Sequence, residues 1–339
     1  MADKEFTVAI TDFVAGEPSL EKEALEGVAQ VTALEAKTEG DLAGRVEQMD
    51  ALIVYHYIEL SADTIGRLER CKVISRGGVG FDNVDLEAAR EKGIPVCNVP
   101  DYGTEDVADS AVGMLVSMMR GVAFQDARLR ADKGPWSPTE AAPLKRIRGS
   151  VLGIVGLGRI GTATAQRAKA LGMDVAFYDP YKQDGYDKAN GVRRVETLEE
   201  LLKQSHAVSI HCPLTEETRH LLNTDTIALM PKGSYLVNTA RGGVVDTACL
   251  PDAIVSGRLA GAGIDVFEWE QPPPDDPVVK AWRDPDHPAC HRLLVTPHCA
   301  FYSEQSLIDL RVKAAHNCRR ALLGQSLRNV VNGVTAGSP

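Results

Sequence analysis

Val151-Leu152-Gly153-Ile154-Val155-Gly156-Leu157-Gly158-Arg159-Ile160-Gly161 begins a stretch that runs on to Val175-Ala176-Phe177-Tyr178-Asp179. It reads as an apolar strand, a glycine-rich turn, a helix and a second strand ending in an acid. Each part suits a dinucleotide. Gly156 allows the tight turn, Gly158 lets the backbone approach a pyrophosphate, and Gly161 lets helix and strand pack closely. The first N–H groups and the positive dipole end of the helix face the phosphates, with Arg159 and Ile160 beside them. Asp179, about 20 residues further on, is placed for the adenosine ribose hydroxyls. An acid there repels a ribose 2′-phosphate, so the expected cofactor is NAD, not NADP.

The 339 residues suffice for two domains. With 44% hydrophobic and 25% charged residues, the composition is that of a soluble globular protein. A net charge of −10 argues against a nucleic-acid partner, which needs a basic face. The N-terminus has no apolar signal core and no apolar run approaches spanning length, so a membrane partner is not expected and the expected location is cytoplasmic. Seven cysteines without a CxxC pair read as free thiols.

Before the glycine turn, short apolar runs (Thr7–Asp12, Val31–Leu34, Ala51–Tyr55, Lys72–Arg76, Ile94–Cys97) alternate with amphipathic stretches such as Leu20–Val28, Asp41–Met49 and Leu86–Glu91. Ser61 is the expected cap of another helix. Alternating strands and helices predict a mainly parallel sheet. Asn98–Gly103 reads as a boundary, followed by a helix over Thr104–Met119; residues 131–148 read as loop. After the turn, strands are predicted at Ala207–His211, Ser234–Asn238, Ala260–Val266 and Leu293–Val295. The remaining proline-rich residues of 271–297 read as irregular loop, and Ser303–Leu323 as a final helix. The fold class is therefore α/β: a Rossmann-type doubly wound parallel sheet that binds the cofactor, plus a smaller flavodoxin-like α/β substrate domain.

Ligands of open α/β sheets bind beyond the carboxyl ends of strands. Arg241, Glu270 and His298 all follow predicted strands of the second domain. Taken singly, each has an ordinary reading: a surface ion pair, a solvated carboxylate, a structural histidine. Together they suit hydride transfer to a 2-keto acid. Histidine can donate the proton, a carboxylate neighbour can orient and stabilise the charged imidazole, and a guanidinium can hold the substrate carboxylate. His56 and Arg76, at strand ends of the first domain, are candidate substrate contacts, with Tyr55 and Phe301 named among the side chains that set specificity. Asp286, His287, Cys290 and His291 invite a zinc reading, but the ligand spacing is wrong, and no metal is expected.

Gly156–Gly161, Val237–Gly243, Gly263–Glu270 and Thr296-Pro297-His298, in that order, resemble the D-isomer-specific 2-hydroxyacid dehydrogenase family. Within that family the chain most resembles the C-terminal-binding-protein branch of NAD(H)-binding corepressors, and also the D-3-phosphoglycerate dehydrogenases, without a further regulatory domain. Phe301 stands where that branch usually has tryptophan. The resemblance implies Arg241, Glu270 and His298 as the catalytic set, and favours Glu270 over Glu268. It implies that Gly78, Val79 and Gly80 present backbone N–H groups to the substrate carboxylate. It implies cofactor contacts at Thr104, His211, Cys212, Pro213, Thr218, Thr239, Ala240, Arg241, Asp265 and His298. It implies a split substrate domain, 1–100 with 302–339, around an NAD-binding domain, 101–301, and a homodimer. The expected function is NAD-dependent oxidoreduction of a small D-2-hydroxy acid or 2-keto acid. The alternative is an NAD(H)-binding sensor or corepressor-like protein with little turnover.

Overall fold

The computed structural model describes residues 6–334. Two compact units divide them. One takes the described residues up to Gly103 and those from Ser303 onward; the other is Thr104–Tyr302.

The first unit is built on β1 (Phe6–Ile10), β2 (Ala29–Ala33), β3 (Ala51–Val54), β4 (Ile74–Arg76) and β5 (Val96–Cys97). They form one parallel sheet in the order β2-β1-β3-β4-β5, the flavodoxin-like order. Alternation along the strands feeds both faces. Val8, Ile10 and Ile53 pack with Leu310, Ala314 and Cys318 of the final helix, Glu304–Leu322. Ala9, Leu52, Val54 and Ile74 pack on the other face with Ile65 and Ala89. Burial on both faces is why these strands read as unbroken apolar runs.

The second unit carries β6 (Val151–Val155), β7 (Asp174–Tyr178), β8 (Arg193–Arg194), β9 (Ala207–Ile210), β10 (Ser234–Asn238), β11 (Leu259–Ile264) and β12 (Leu293–Val295). The order is β12-β11-β10-β9-β6-β7-β8, all parallel. That is a Rossmann sheet with one added strand, reversing direction of winding between β6 and β9.

Three local expectations need correction, and one helix lies where the sequence predicts no element. Asp41–Met49 is not a helix. A single 3₁₀ turn, Glu39–Leu42, ends where Gly44 takes φ +76°, off the helical path. The proline-rich segment contains a helix, Pro277–Arg283, capped by Asp276, whose carboxylate accepts from Val278 N (2.8 Å) and Val279 N (3.1 Å). Proline at a first helical position starts a helix. A further helix, Val122–Arg130, follows Gly121 at φ +65°. Ser61 precedes the helix Ala62–Arg67 but its hydroxyl donates to Glu39 (2.7 Å) instead of capping.

Candidate active site

The glycine turn leaves β6 as a cradle. Gly156 has φ +89°, and a Cβ there would lie 2.7 Å from Cys212 N. A Cβ at Gly161 would lie 2.2 Å from Gly156 O, so only glycine permits this approach of helix to strand. Gly158 differs: no atom lies within 4 Å of its Cβ position, and the helix Arg159–Ala170 starts there without a side-chain cap. Open space at an uncapped helix N-terminus is what a pyrophosphate needs. Asp179, just past β7, borders the turn. Its Oδ2 accepts from Leu157 N (2.9 Å) and its Oδ1 from Tyr181 N (3.1 Å), with Lys182 Nζ at 3.9 Å. Two strands away from β6, just past β10, Thr239 Oγ1 is buried and has no hydrogen-bond partner among the described residues, as an atom awaiting a polar ligand would be. The residues fit a dinucleotide.

Other cofactor candidates occupy the neighbouring strand exits. His211 follows β9; Ser209 Oγ meets its Nε2 at 2.8 Å, and burial pushes its pKa down to about 3. The Cys212 thiol is pushed up to about 12 by burial. Pro213 is exposed. The Thr218 hydroxyl donates to Pro213 O (2.7 Å) and accepts from Thr215 N (2.8 Å). It braces its own loop beside Pro213, the neighbouring cofactor candidate. Thr104 is the first residue of the helix Thr104–Met119.

Beyond β10, the buried Asn238 side chain ties its turn at both ends. Its Nδ2 donates to Arg241 O (2.9 Å) and its Oδ1 accepts from Ala240 N (3.0 Å). Arg241 Nη1 donates to Ala240 O at 2.8 Å. A Cβ at Gly242 would lie 1.9 Å from the Phe267 carbonyl carbon, so the turns after β10 and β11 are in backbone contact.

Asp265, buried after β11, organises the loop after β12. Its Oδ1 accepts from Thr296 Oγ1 (2.6 Å) and Cys299 N (2.9 Å), its Oδ2 from Ala300 N (3.0 Å), and its carbonyl from His298 N (2.7 Å). His298 is held at φ +50°, a backbone conformation uncommon outside glycine and found at functional sites. Its Nδ1 lies 2.9 Å from Glu270 Oε1. The Phe301 ring meets the imidazole edge-on, centroids 6.1 Å apart. Glu268 goes elsewhere, to Arg219 (2.7 Å) and His220 (3.1 Å). The family resemblance favoured Glu270 over Glu268, and the geometry pairs Glu270 with His298.

The family whose model matches residues 112–300 is described as D-isomer specific 2-hydroxyacid dehydrogenase, NAD binding domain. The chain belongs to that family. It is 36% identical over 324 residues to C-terminal-binding protein 1 of Caenorhabditis elegans, covering 93% of this chain and 43% of that one. It is 35% identical over 308 residues to D-3-phosphoglycerate dehydrogenase of Methanocaldococcus jannaschii, covering 91% and 56%. The chain thus spans about half the length of these curated relatives. The fold also matches D-lactate dehydrogenase from Aquifex aeolicus, a structure complexed with NAD and lactic acid, with TM-score 0.83, 29% identity, and 94% and 96% of the two chains covered. As a member of this family the chain has an NAD-binding domain, and the glycine cradle lies inside the matched residues.

Within the first unit, the turn after β4 has its own logic. Gly77 O accepts from Arg76 Nη1 (2.8 Å), Gly78 O from Val99 N (3.0 Å) and Val79 O from Asn98 Nδ2 (2.7 Å). Among the described residues, the N–H groups of Gly78, Val79 and Gly80 donate no hydrogen bond. Gly78 has φ +149°, and a Cβ there would lie 1.5 Å from Arg76 Nη1. Arg76 is buried and folded over this turn, with Nε toward Asn83 (3.3 Å). Arg76, a candidate substrate contact, thus also shapes the turn. Tyr55 packs against Gly77, whose Cβ position lies 2.5 Å from its Cε1. Its ring is fully buried, its hydroxyl donates to Glu21 (3.3 Å), and it packs 5.0 Å from Phe13, inside the core. His56 lies half-buried between Phe13 and Tyr57.

Residues missed by sequence reasoning are mostly braces: Asn238, Thr296, Arg219 and His220 in the second unit, Asn83 and Asp12 in the first. The buried carboxylate of Asp12 accepts from Tyr55 N (2.8 Å) and Tyr57 N (2.7 Å), as Asp265 does in the other unit. Only Asn238 carried a signal, a polar residue closing an apolar strand. Of the four residues that invited a zinc reading, Asp286 pairs with Lys133 (2.6 Å), and His287 Nδ1 accepts from Ala289 N (3.1 Å).

Proposed function

We propose that this protein is an NAD-dependent oxidoreductase interconverting a small D-2-hydroxy acid and its 2-keto acid, with His298 as acid and base. The 2.9 Å contact of His298 Nδ1 with Glu270 carries the reading. It stands on the sheet edge that also carries Arg241 and the glycine cradle. NAD, when bound, supplies the hydride acceptor or donor for C2 of the substrate. An ionised carboxylate only accepts hydrogen bonds, so Glu270 keeps a proton on Nδ1. Nε2 is then the atom that gives a proton to the C2 oxygen in reduction and takes it in oxidation. The guanidinium of Arg241 binds the substrate carboxylate and polarises the C2 carbonyl. Phe301 limits ring rotation and borders the substrate. Asp265 holds the His298 loop in register, and Asp179 holds the adenosine ribose. In the first unit, the amides of Gly78, Val79 and Gly80 are of the kind that binds a carboxylate. A cytoplasmic homodimer is proposed from composition and family likeness.

A second reading, an NAD(H) sensor or corepressor-like protein with little turnover, is favoured by the identity to C-terminal-binding protein 1. One experiment separates the two. The protein is mixed with NADH and glyoxylate, hydroxypyruvate, pyruvate, phosphohydroxypyruvate and bulkier 2-keto acids, and nicotinamide absorbance is followed. Turnover with at least one supports the enzyme. Tight NADH binding without consumption across the panel supports the sensor.

A further inference from the structure

Three turns of the second unit converge at Glu268. Its Oε1 accepts from Arg219 Nη1 at 2.7 Å and its Oε2 meets His220 Nε2 at 3.1 Å. His220 N donates to Gly243 O at 2.8 Å. The Cβ position of Gly243 lies 3.5 Å from Arg219 Nη1, and that of Gly242 lies 2.2 Å from Glu268 N. The segment 219–220 therefore grips the turn that carries Arg241 and, through one carboxylate, the loop that carries Glu270. In that loop Glu268, Trp269 and Glu270 are exposed, Gln271 takes φ +58°, and Glu270 in turn meets His298 Nδ1 at 2.9 Å.

We propose that Glu268, Arg219 and His220 form a latch that positions Glu270 and Arg241 for the reaction. The inference rests on the function proposed above and deepens it. Glu268 touches no reacting atom; it is a positioning residue. An exposed ion pair contributes little to global stability. A misplacement of about 1 Å at a reacting group, by contrast, lowers rate by roughly a hundredfold. Loss of the latch is therefore expected to affect turnover far more than folding.

The chain's own tryptophans supply a readout independent of turnover. Trp269 lies between Glu268 and Glu270, and only Trp136 and Trp282 need removal. In the Trp136→Phe, Trp282→Phe background, acrylamide quenching of Trp269 is compared with and without Glu268→Gln, alongside kcat and KM for the best 2-keto acid and the Kd for NADH. Arg219→Met and Arg219→Lys form a second pair. The expected result is roughly tenfold to a hundredfold lower kcat/KM in Glu268→Gln and Arg219→Met, an unchanged Kd for NADH, increased Trp269 quenching, and partial recovery of both by Arg219→Lys. Unchanged quenching and unchanged kcat/KM overturn the latch. So does lost activity with unchanged quenching, because the loop would then be held by something else. If the parent protein turns over no 2-keto acid, the dehydrogenase reading fails, and the quenching comparison still decides whether the latch holds the loop.

Discussion

The N–H of His298 donates to the carbonyl of Asp265 at 2.7 Å, while the Asp265 carboxylate accepts the N–H groups of Cys299 and Ala300. One buried acid thus sets the loop that carries the imidazole. Asp265→Asn keeps the shape but puts an amide NH₂ against backbone donors. Hydrogen bonds to a charged acceptor are worth about 1.5–3 kcal/mol each. The expected outcome is about 2 kcal/mol lower stability in urea unfolding, with kcat reduced more than the Kd for NADH is raised.

Gly156 and Gly158 make different demands. Ala at Gly156 puts a Cβ against the Cys212 backbone at φ +89°. Ala at Gly158 meets nothing within the protein and has an ordinary φ of −76°. Gly158→Ala is expected to keep the parent melting temperature yet bind NADH at least about tenfold more weakly, a loss of about 1.4 kcal/mol. Gly156→Ala is expected to lower both. Calorimetry and fluorescence titration on the two variants make the comparison.

This contrast shows how much could be read in advance. The strands at 151–155, 234–238 and 293–295 and the helices at 86–91 and 104–119 announce themselves because both faces of each sheet are covered, leaving unbroken apolar runs between turn residues. The order of Gly156, Gly158, Gly161 and Asp179 announces a dinucleotide: Gly156 and Gly161 answer backbone constraints, Gly158 leaves open space at a helix N-terminus, and Asp179 borders the turn. Side chains that choose among partners are less legible. Nothing in the spacing tells that Tyr55 turns into the core to reach Glu21, or that Arg76 folds over Gly77. The pairing of Glu268 with Arg219 depends on turns that meet only in three dimensions. Pro277–Arg283 hid in a proline-rich segment because proline both breaks helices and begins them.

The proposed role of Asp179 makes it the residue that selects the cofactor. Its carboxylate repels a 2′-phosphate, and Lys182 Nζ lies 3.9 Å from it. Asp179→Ala is expected to weaken NADH binding and to narrow the NADH-to-NADPH preference by roughly tenfold or more, with the freed ammonium meeting the phosphate. Kd values for both cofactors, measured at two ionic strengths, check this. An unchanged preference would place discrimination elsewhere.

His211 makes stability depend on acid. Burial lowers its folded pKa to about 3, against about 6.5 unfolded. The unfolded chain binds the extra proton, so stability falls as pH drops from about 6.5 toward 3 and is flat above. At pH 4.5 this one group is expected to cost about 2–3 kcal/mol relative to pH 7. Urea unfolding at both pH values should show a smaller difference for His211→Gln than for the parent protein.

The central claim is that His298, oriented by Glu270, moves the proton. The direct measurement is steady-state NADH oxidation with the best 2-keto acid, comparing the parent protein with His298→Ala, together with the Kd for NADH of each. General acid–base catalysis contributes about a hundredfold to ten-thousandfold. The account expects a loss of that size in kcat for His298→Ala, with NADH binding retained. Turnover that survives the substitution intact would contradict it.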